Sequence, residues 1–323
     1  MRSLFGLLAA ALTLAPFPLH AQRLPTGVIP DHYDLAFAVD LAHNRFDGTE
    51  TIKVRTTEPT TRVVLHALEI TFHEVTVGTG AAAQRATVAL DESAQTATLT
   101  VPKPIAPGST EIHIRYTGVL NDKLRGFYTS KGANRSYAVT QFESTDARRA
   151  FPCFDEPGFK ATFAVKLTID RGDTAISNGK LVSDAPGPSP GRHTMTFAPT
   201  PKMSTYLVAM AVGDFQCLDG AAENVPIRIC ATPDKNQLGK IALDAAQDIL
   251  RFYNRYFGIK YPFGKLDVLA VPDFAAGRWK TPPRSSIAKP TCSPTRRRRR
   301  SKPARTSRPC SRTKWPTSGS ATW

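Results

Sequence analysis

Alternation of apolar and polar residues with a period of two is the feature that most constrains this chain. Tyr33, Leu35, Phe37 and Val39 fall on one side of an extended backbone and polar or small residues on the other, the pattern of a half-buried strand. The pattern recurs in Thr51-Ile52-Lys53-Val54-Arg55, Thr61-Arg62-Val63-Val64-Leu65-His66 and Ala97-Thr98-Leu99-Thr100-Val101. Two further runs are Glu111-Ile112-His113-Ile114-Arg115-Tyr116 and Phe163-Ala164-Val165-Lys166-Leu167-Thr168-Ile169. Turn-forming clusters such as Pro107-Gly108 and Ser177-Asn178-Gly179 separate them. Many strands, short connections and little helix predict one mainly β domain over residues 22–218, an antiparallel β-sandwich or saddle.

After Cys230 the period changes. Ile241, Ala245, Ile249, Tyr253 and Phe257 repeat at helical spacing, with Asp234 as a cap, Gln237 reaching back to it and Gly258 as the stop. A strand is predicted at Leu266-Asp267-Val268-Leu269-Ala270-Val271. This helix and strand begin a second unit that mixes helix and strand. Of the five cysteines three lie before residue 278. Cys217 and Cys230 flank a strand–turn–strand and are a candidate disulfide in an oxidising compartment, the alternative being two separate buried thiols. Cys153 is expected to be packed rather than reactive. His73-Glu74 opens like a zinc-binding helix, but Val77 stands where a second His is required, so His73 is expected in a strand. The same structural reading applies to His32, His66 and His113, and no Cys or His spacing in the body makes a metal site.

One stretch breaks the β rhythm: Thr140-Gln141-Phe142-Glu143-Ser144-Thr145-Asp146-Ala147-Arg148-Arg149-Ala150, running into Phe151-Pro152-Cys153-Phe154-Asp155-Glu156-Pro157. Irregular, charged backbone inside a β domain is where binding residues concentrate. This run resembles the substrate-amine loop of the aminopeptidase N family, zinc peptidases that remove N-terminal residues. The resemblance extends in order through Pro30-Asp31-His32-Tyr33, Phe46-Asp47-Gly48, Val64-Leu65-His66 and Gly126-Phe127-Tyr128 to Met203-Ser204-Thr205-Tyr206-Leu207 and Gly213-Asp214-Phe215. It implies that Gln141 and Glu143 face the first residue of a peptide substrate with a free N-terminus. A peptide amine is cationic near neutral pH, and an amide oxygen with a carboxylate can hold it by charge-assisted hydrogen bonds. It also implies that residues 219–277 open a thermolysin-like catalytic domain. The match ends at Gly277, the first residue of that family's Gly-Ala-Met-Glu-Asn loop and the third expected substrate-binding position.

The net charge of +15 suggests a nucleic-acid binder, but residues 278–323 hold 14 of the 42 Lys and Arg and none of the Asp and Glu. The rest of the chain is close to neutral, so no specific nucleic-acid partner is expected. This tail also contains seven prolines and little to bury, so it is predicted to be disordered. At the other end, Met1-Arg2 and the apolar run Leu4 to Ala15, cut short by Pro16 and Pro18, read as a signal peptide over residues 1–21. The expectation is an exported, periplasmic or secreted protein with no membrane helix after cleavage.

The tail carries a second message. Taking the last base of each codon with the first two of the next, Arg278-Trp279, Trp279-Lys280 and Lys280-Thr281 can encode Met, Glu and Asn. The same offset over Arg312 to Trp323 permits His-Glu-Met-Ala-His-Gln-Trp-Phe-Gly-Asp-Leu, a zinc helix with its catalytic Glu. Residues 278–323 are therefore expected to be out-of-frame translation. The intact family uses zinc, but no zinc is expected on this chain, and the fragment is predicted to be inactive. The alternatives are a non-catalytic peptide-binding β module, or a polyanion- or membrane-surface-binding protein acting through a genuine basic tail with its five arginines at 296–300.

Overall fold

The computed structural model describes residues 23–274 and the backbone of residues 285–287, all within one compact unit. The expected signal peptide, Gly277 and most of the basic tail lie outside the described residues. The fold is mainly β, with antiparallel pairing predominant and a single α-helix among the described residues.

The largest sheet has eight strands in the order Leu181–Pro186, Arg192–Phe197, Thr162–Asp170, Val28–Asp40, Arg45–Thr56, Gly108–Val119, Ile70–Val77 and Gln84–Arg85. Its pairings are antiparallel except one: Val28–Asp40 lies parallel to Thr162–Asp170, with His32 opposite Thr162. A three-stranded sheet (Thr60–His66, Thr96–Ile105, Thr87–Asp91) and a four-stranded sheet cover its inner face. The alternating residues of the sequence meet in this space: Tyr33, Leu35, Phe37, Ile52, Leu65, Leu99, Ile114 and Phe163 are all buried in one core. Two glycines serve this packing. A Cβ on Gly48 would lie 2.2 Å from the Tyr116 ring, and one on Gly118 would lie 2.1 Å from the Phe46 ring.

The four-stranded sheet orders Thr174–Ser177, Met210–Gly213, Ser136–Gln141 and Gly126–Lys131. It is a wall with a core on each side. Ala138, Ala175, Met210 and Val212 face the main core, whereas Tyr128, Tyr137, Val139, Ile176 and Ala211 face a second cluster containing Cys230, Leu269, Val271 and Phe274. Burial on both faces explains why these strands lack the polar alternation of the outer ones.

Behind the wall, Gln216–Ala222 and Val225–Ala231 form a hairpin, to which Leu266–Leu269 adds in parallel. The strand Gln216–Ala222 runs across the domain boundary expected at 218/219. Cys217 and Cys230 sit opposite each other in this hairpin and are joined as a disulfide. Two polar locks tie the segment down. Lys265 Nζ donates to the Ser177 carbonyl (2.8 Å) and to Asp267, which also receives both arms of the Arg228 guanidinium at 2.8 Å. Tyr128 donates its hydroxyl to the Asp273 carbonyl, and the Lys131 amide donates to the Asp273 carboxylate.

Three expectations change. Residues Pro233–Leu238 form a 3₁₀ turn whose Asp234 accepts from the Thr232 hydroxyl, and the α-helix starts only at Gly239, running to Phe257. Its packed side is Leu243, Ala246 and Leu250, which rest on the hairpin. The row read from sequence is the outer side: Ile241 is 81 % exposed and Phe257 56 %. The helix has two apolar faces, and spacing alone does not say which one the hairpin takes. Lastly, Ser285–Ile287 pairs in parallel with Leu266–Leu269, a short strand where composition predicts irregular chain. An open strand edge offers unpaired backbone groups to any extended segment nearby.

Candidate functional site

The irregular loop leaves the wall at Gln141. In Ser136–Gln141 the side chains alternate, Tyr137 and Val139 toward the second cluster and Ala138 toward the main core. Gln141 therefore belongs to the Tyr137–Val139 face. Its cross-strand partner is Gly126. Gln141 is 7 % exposed, and its Oε1 has no hydrogen-bond partner among the described residues. A buried amide oxygen left unpaired forfeits free energy unless something arrives to donate to it. Phe142 is driven into the main core against Phe151. Glu143 follows at the turn, half-buried, and the Glu143–Ser144 peptide is cis.

The turn is closed by backbone and side-chain bonds. The Asp146 amide donates to the Phe142 carbonyl at 3.0 Å, and a 3₁₀ turn follows at Ala147–Arg149. Arg149 is buried and donates through Nε to Asp146 Oδ1 at 2.7 Å, while its Nη1 lies 2.7 Å from Glu69 Oε2. Glu69 also takes Lys123 Nζ at 3.2 Å. Burial alone would lower the Arg149 pKa, but the two carboxylates outweigh it and hold the guanidinium charged. Burial likewise opposes ionisation of Glu69, and Arg149 with Lys123 reverses that, keeping it below its ordinary value.

Arg148 serves a different purpose. It donates from Nε to Asp155 Oδ2 at 3.0 Å, from Nη2 to the Asp155 carbonyl and from Nη1 to Gln95. Asp155 Oδ1 accepts from the Thr205 hydroxyl at 2.6 Å, and the Asp155 amide donates to His66 Nδ1 at 3.2 Å. Asp155 thus anchors the loop to the strand Thr60–His66 and to the turn at Thr205. Arg148 and Asp155 are seven residues apart, but Gln95 and Thr205, which tie the pair to the rest of the fold, lie 53 and 50 residues away and leave no mark in the local sequence. Cys153 is fully buried, and burial pushes its thiol well above the ordinary range, so it stays protonated and unreactive.

Gln141 and Glu143 share the loop, but Gly277 lies outside the described residues. The segment leading toward it is placed: Pro272-Asp273-Phe274 packs on the same face of the wall that carries Gln141, through the Tyr128 and Ser130 contacts to Asp273. Among the described residues no set of three His, Cys, Asp or Glu is arranged to hold a metal ion, so these residues do not fit a zinc site. His73 lies in the strand Ile70–Val77 and bonds Thr117.

Residues 29–207 match the family profile described as the Peptidase M1 N-terminal domain. The chain belongs to the M1 peptidase family. This M1 chain is 39% identical over 264 residues to the puromycin-sensitive aminopeptidase of Caenorhabditis elegans, covering 79% of the chain but 28% of that relative. It is 38% identical to human endoplasmic reticulum aminopeptidase 1 over 273 residues, 81% of the chain and 29% of the relative. To aminopeptidase N of Acetobacter pasteurianus it is 36% identical, covering 81% of the chain and 74% of the relative. It therefore spans little more than a quarter of the length of the C. elegans and human relatives.

Proposed function

We propose that this M1 chain is the amine-recognising part of an exported zinc aminopeptidase. The observation that carries the reading is the Gln141–Glu143 pair: a buried amide oxygen without a partner among the described residues, followed two residues later by a half-buried carboxylate in a braced turn. A peptide ammonium brings three donors and a charge, which these two acceptors match. An acetylated terminus has neither the charge nor the donor count, so the site accepts chain ends and rejects chain interiors. When bound in the whole peptidase, zinc supplies an activated water and polarises the scissile carbonyl. The residues described here fit no zinc and would only bind and orient the peptide end. The chain is read as two units, 22–218 and 219–277, with Gly277 beginning a further substrate-contacting loop and 278–323 translated out of frame.

Three measurements test this. The full 323-residue chain should bind a short neutral peptide with a free N-terminus in preference to its Nα-acetylated twin. Glu143→Gln should cut that preference about tenfold, the loss of one charge-assisted bond. The same preparation should release no amino acid from peptides. Chelator-sensitive release would overturn the inactivity, and equal binding of the two peptides would overturn the amine site. For the tail, the nucleotide sequence of the locus beyond the Gly277 codon should read Ala-Met-Glu-Asn and later His-Glu-x-x-His in the shifted frame.

A further inference from the structure

We propose that Arg149 is a positioning residue for the amine site, holding Gln141 and Glu143 in place from beneath without touching the peptide; this rests on the amine-binding reading above. Three contacts converge on it. Gly126, the cross-strand partner of Gln141, has φ +70° and lacks a side chain where the stem of Arg149 runs: a Cβ there would lie 2.8 Å from Arg149 Cβ and 3.1 Å from its Cδ. The strand that pairs with Gln141 is thus seated at its Gly126 end against the Arg149 stem. At the other end of the turn, Arg149 Nε holds Asp146, whose amide in turn holds the Phe142 carbonyl, so residues 143–145 are closed off between two fixed points. The guanidinium is then moored to Glu69, on the segment where the Leu68 amide bonds the Arg148 carbonyl. One buried side chain therefore links the strand beside Gln141, the Glu143 turn and the Glu69 segment.

The charges separate positioning from direct electrostatics. Arg149 and Lys123 stand against Asp146 and Glu69, two of each sign. If Arg149 acted through its field, its removal would favour an incoming ammonium; if it acts through placement, its removal weakens binding despite the extra net negative charge. The two roles predict opposite signs.

The test uses the full chain and the free and Nα-acetylated peptides, with binding read by fluorescence anisotropy and folding by circular dichroism. Arg149→Met should lower the preference for the free amine about tenfold, the equivalent of one lost charge-assisted hydrogen bond. Asp146→Asn keeps an acceptor for Arg149 and should retain most of the preference, whereas Asp146→Ala should lose it. Arg148→Lys, at the adjacent structural pair, should lower thermal stability and leave the ratio of the two affinities unchanged. An unchanged or increased ratio in folded Arg149→Met, or equal ratios for the two Asp146 variants, overturns the proposal. Should Arg149→Met fail to fold, the Asp146 pair decides alone. Absence of any preference in the unmodified chain overturns the amine-site reading, and this inference with it.

Discussion

His66 shows how a single side chain connects the loop to solution conditions. It is buried, accepts a hydrogen bond from the Asp155 amide and lies near Arg148; burial first, then that charge, depress its pKa from 6.5 to about 4. A depressed histidine is bound neutral in the fold, while the unfolded chain takes up the proton first. Its stabilising contribution is complete above pH 6.5 and is lost as pH falls toward 4. Stability should therefore drop by about 2–3 kcal/mol across that window. Denaturant titrations at pH 7 and pH 4.5 should show the drop, and His66→Asn should show much less of it. Glu50 has the opposite sign: it is fully buried, neither carboxylate oxygen has a partner among the described residues, and burial raises its pKa well above the ordinary range. Its protonated form suits the core below its unfolded pKa, and that advantage fades as pH rises.

At the scale of elements, the helix Gly239–Phe257 separates legible from illegible information. Its existence and its stop at Gly258, where φ is +65°, follow from spacing and from the ease with which glycine enters the left-handed region. Its start and its packed face did not. The Asp234 side chain is engaged by Thr232, and the hairpin selects the Leu243–Leu250 stripe although the opposite stripe is as apolar. Leu250→Ala should cost about 2–5 kcal/mol, as for other buried leucines. Ile249→Gln and Phe252→Gln on the exposed face should leave the melting temperature nearly unchanged and reduce dye binding and self-association, readable by light scattering. The outer strands were legible because one face of each meets water, which writes polarity into every second residue. The wall strands were not, because Tyr137, Ala138, Val139 and Thr140 are all buried. Gln141 and Glu143 stand out in the sequence only through an irregular charged run and its resemblance to the family's substrate-amine loop. Arg149, one arginine of an adjacent pair, gave no sign of which would brace the site.

For the whole molecule, the wall makes the sandwich and the following α+β segment share residues. Tyr128, Val139 and Ala211 belong to a cluster with Cys230, Leu269 and Phe274, and Lys265 and Asp273 fasten the two across it. Residues on both sides of the expected 218/219 boundary should then unfold together. Asp267→Asn leaves Arg228 and Lys265 facing a neutral partner in a buried position, so it should cost about 3–5 kcal/mol. The Asp267 carboxyl is opposed by burial but held below its usual range by Arg228 and Lys265, so the pair is ionised at neutral pH. Hydrogen exchange should report the same loss of protection in the strand Ser136–Gln141 as in Val225–Ala231; a loss confined to the latter would show that the two parts unfold separately.

The one parallel pairing in the large sheet sets a schedule for synthesis. His32 finds its neighbour Thr162 only 130 positions later. Ribosomes add about 5–20 residues per second, so the first strand waits on the order of ten seconds for its second partner. During that interval it has only the hairpin with Arg45–Thr56, and long-range closure is the slow step in building such sheets. A nascent chain that cannot close its main sheet early leaves one edge of that strand open to other extended segments for the whole of that interval.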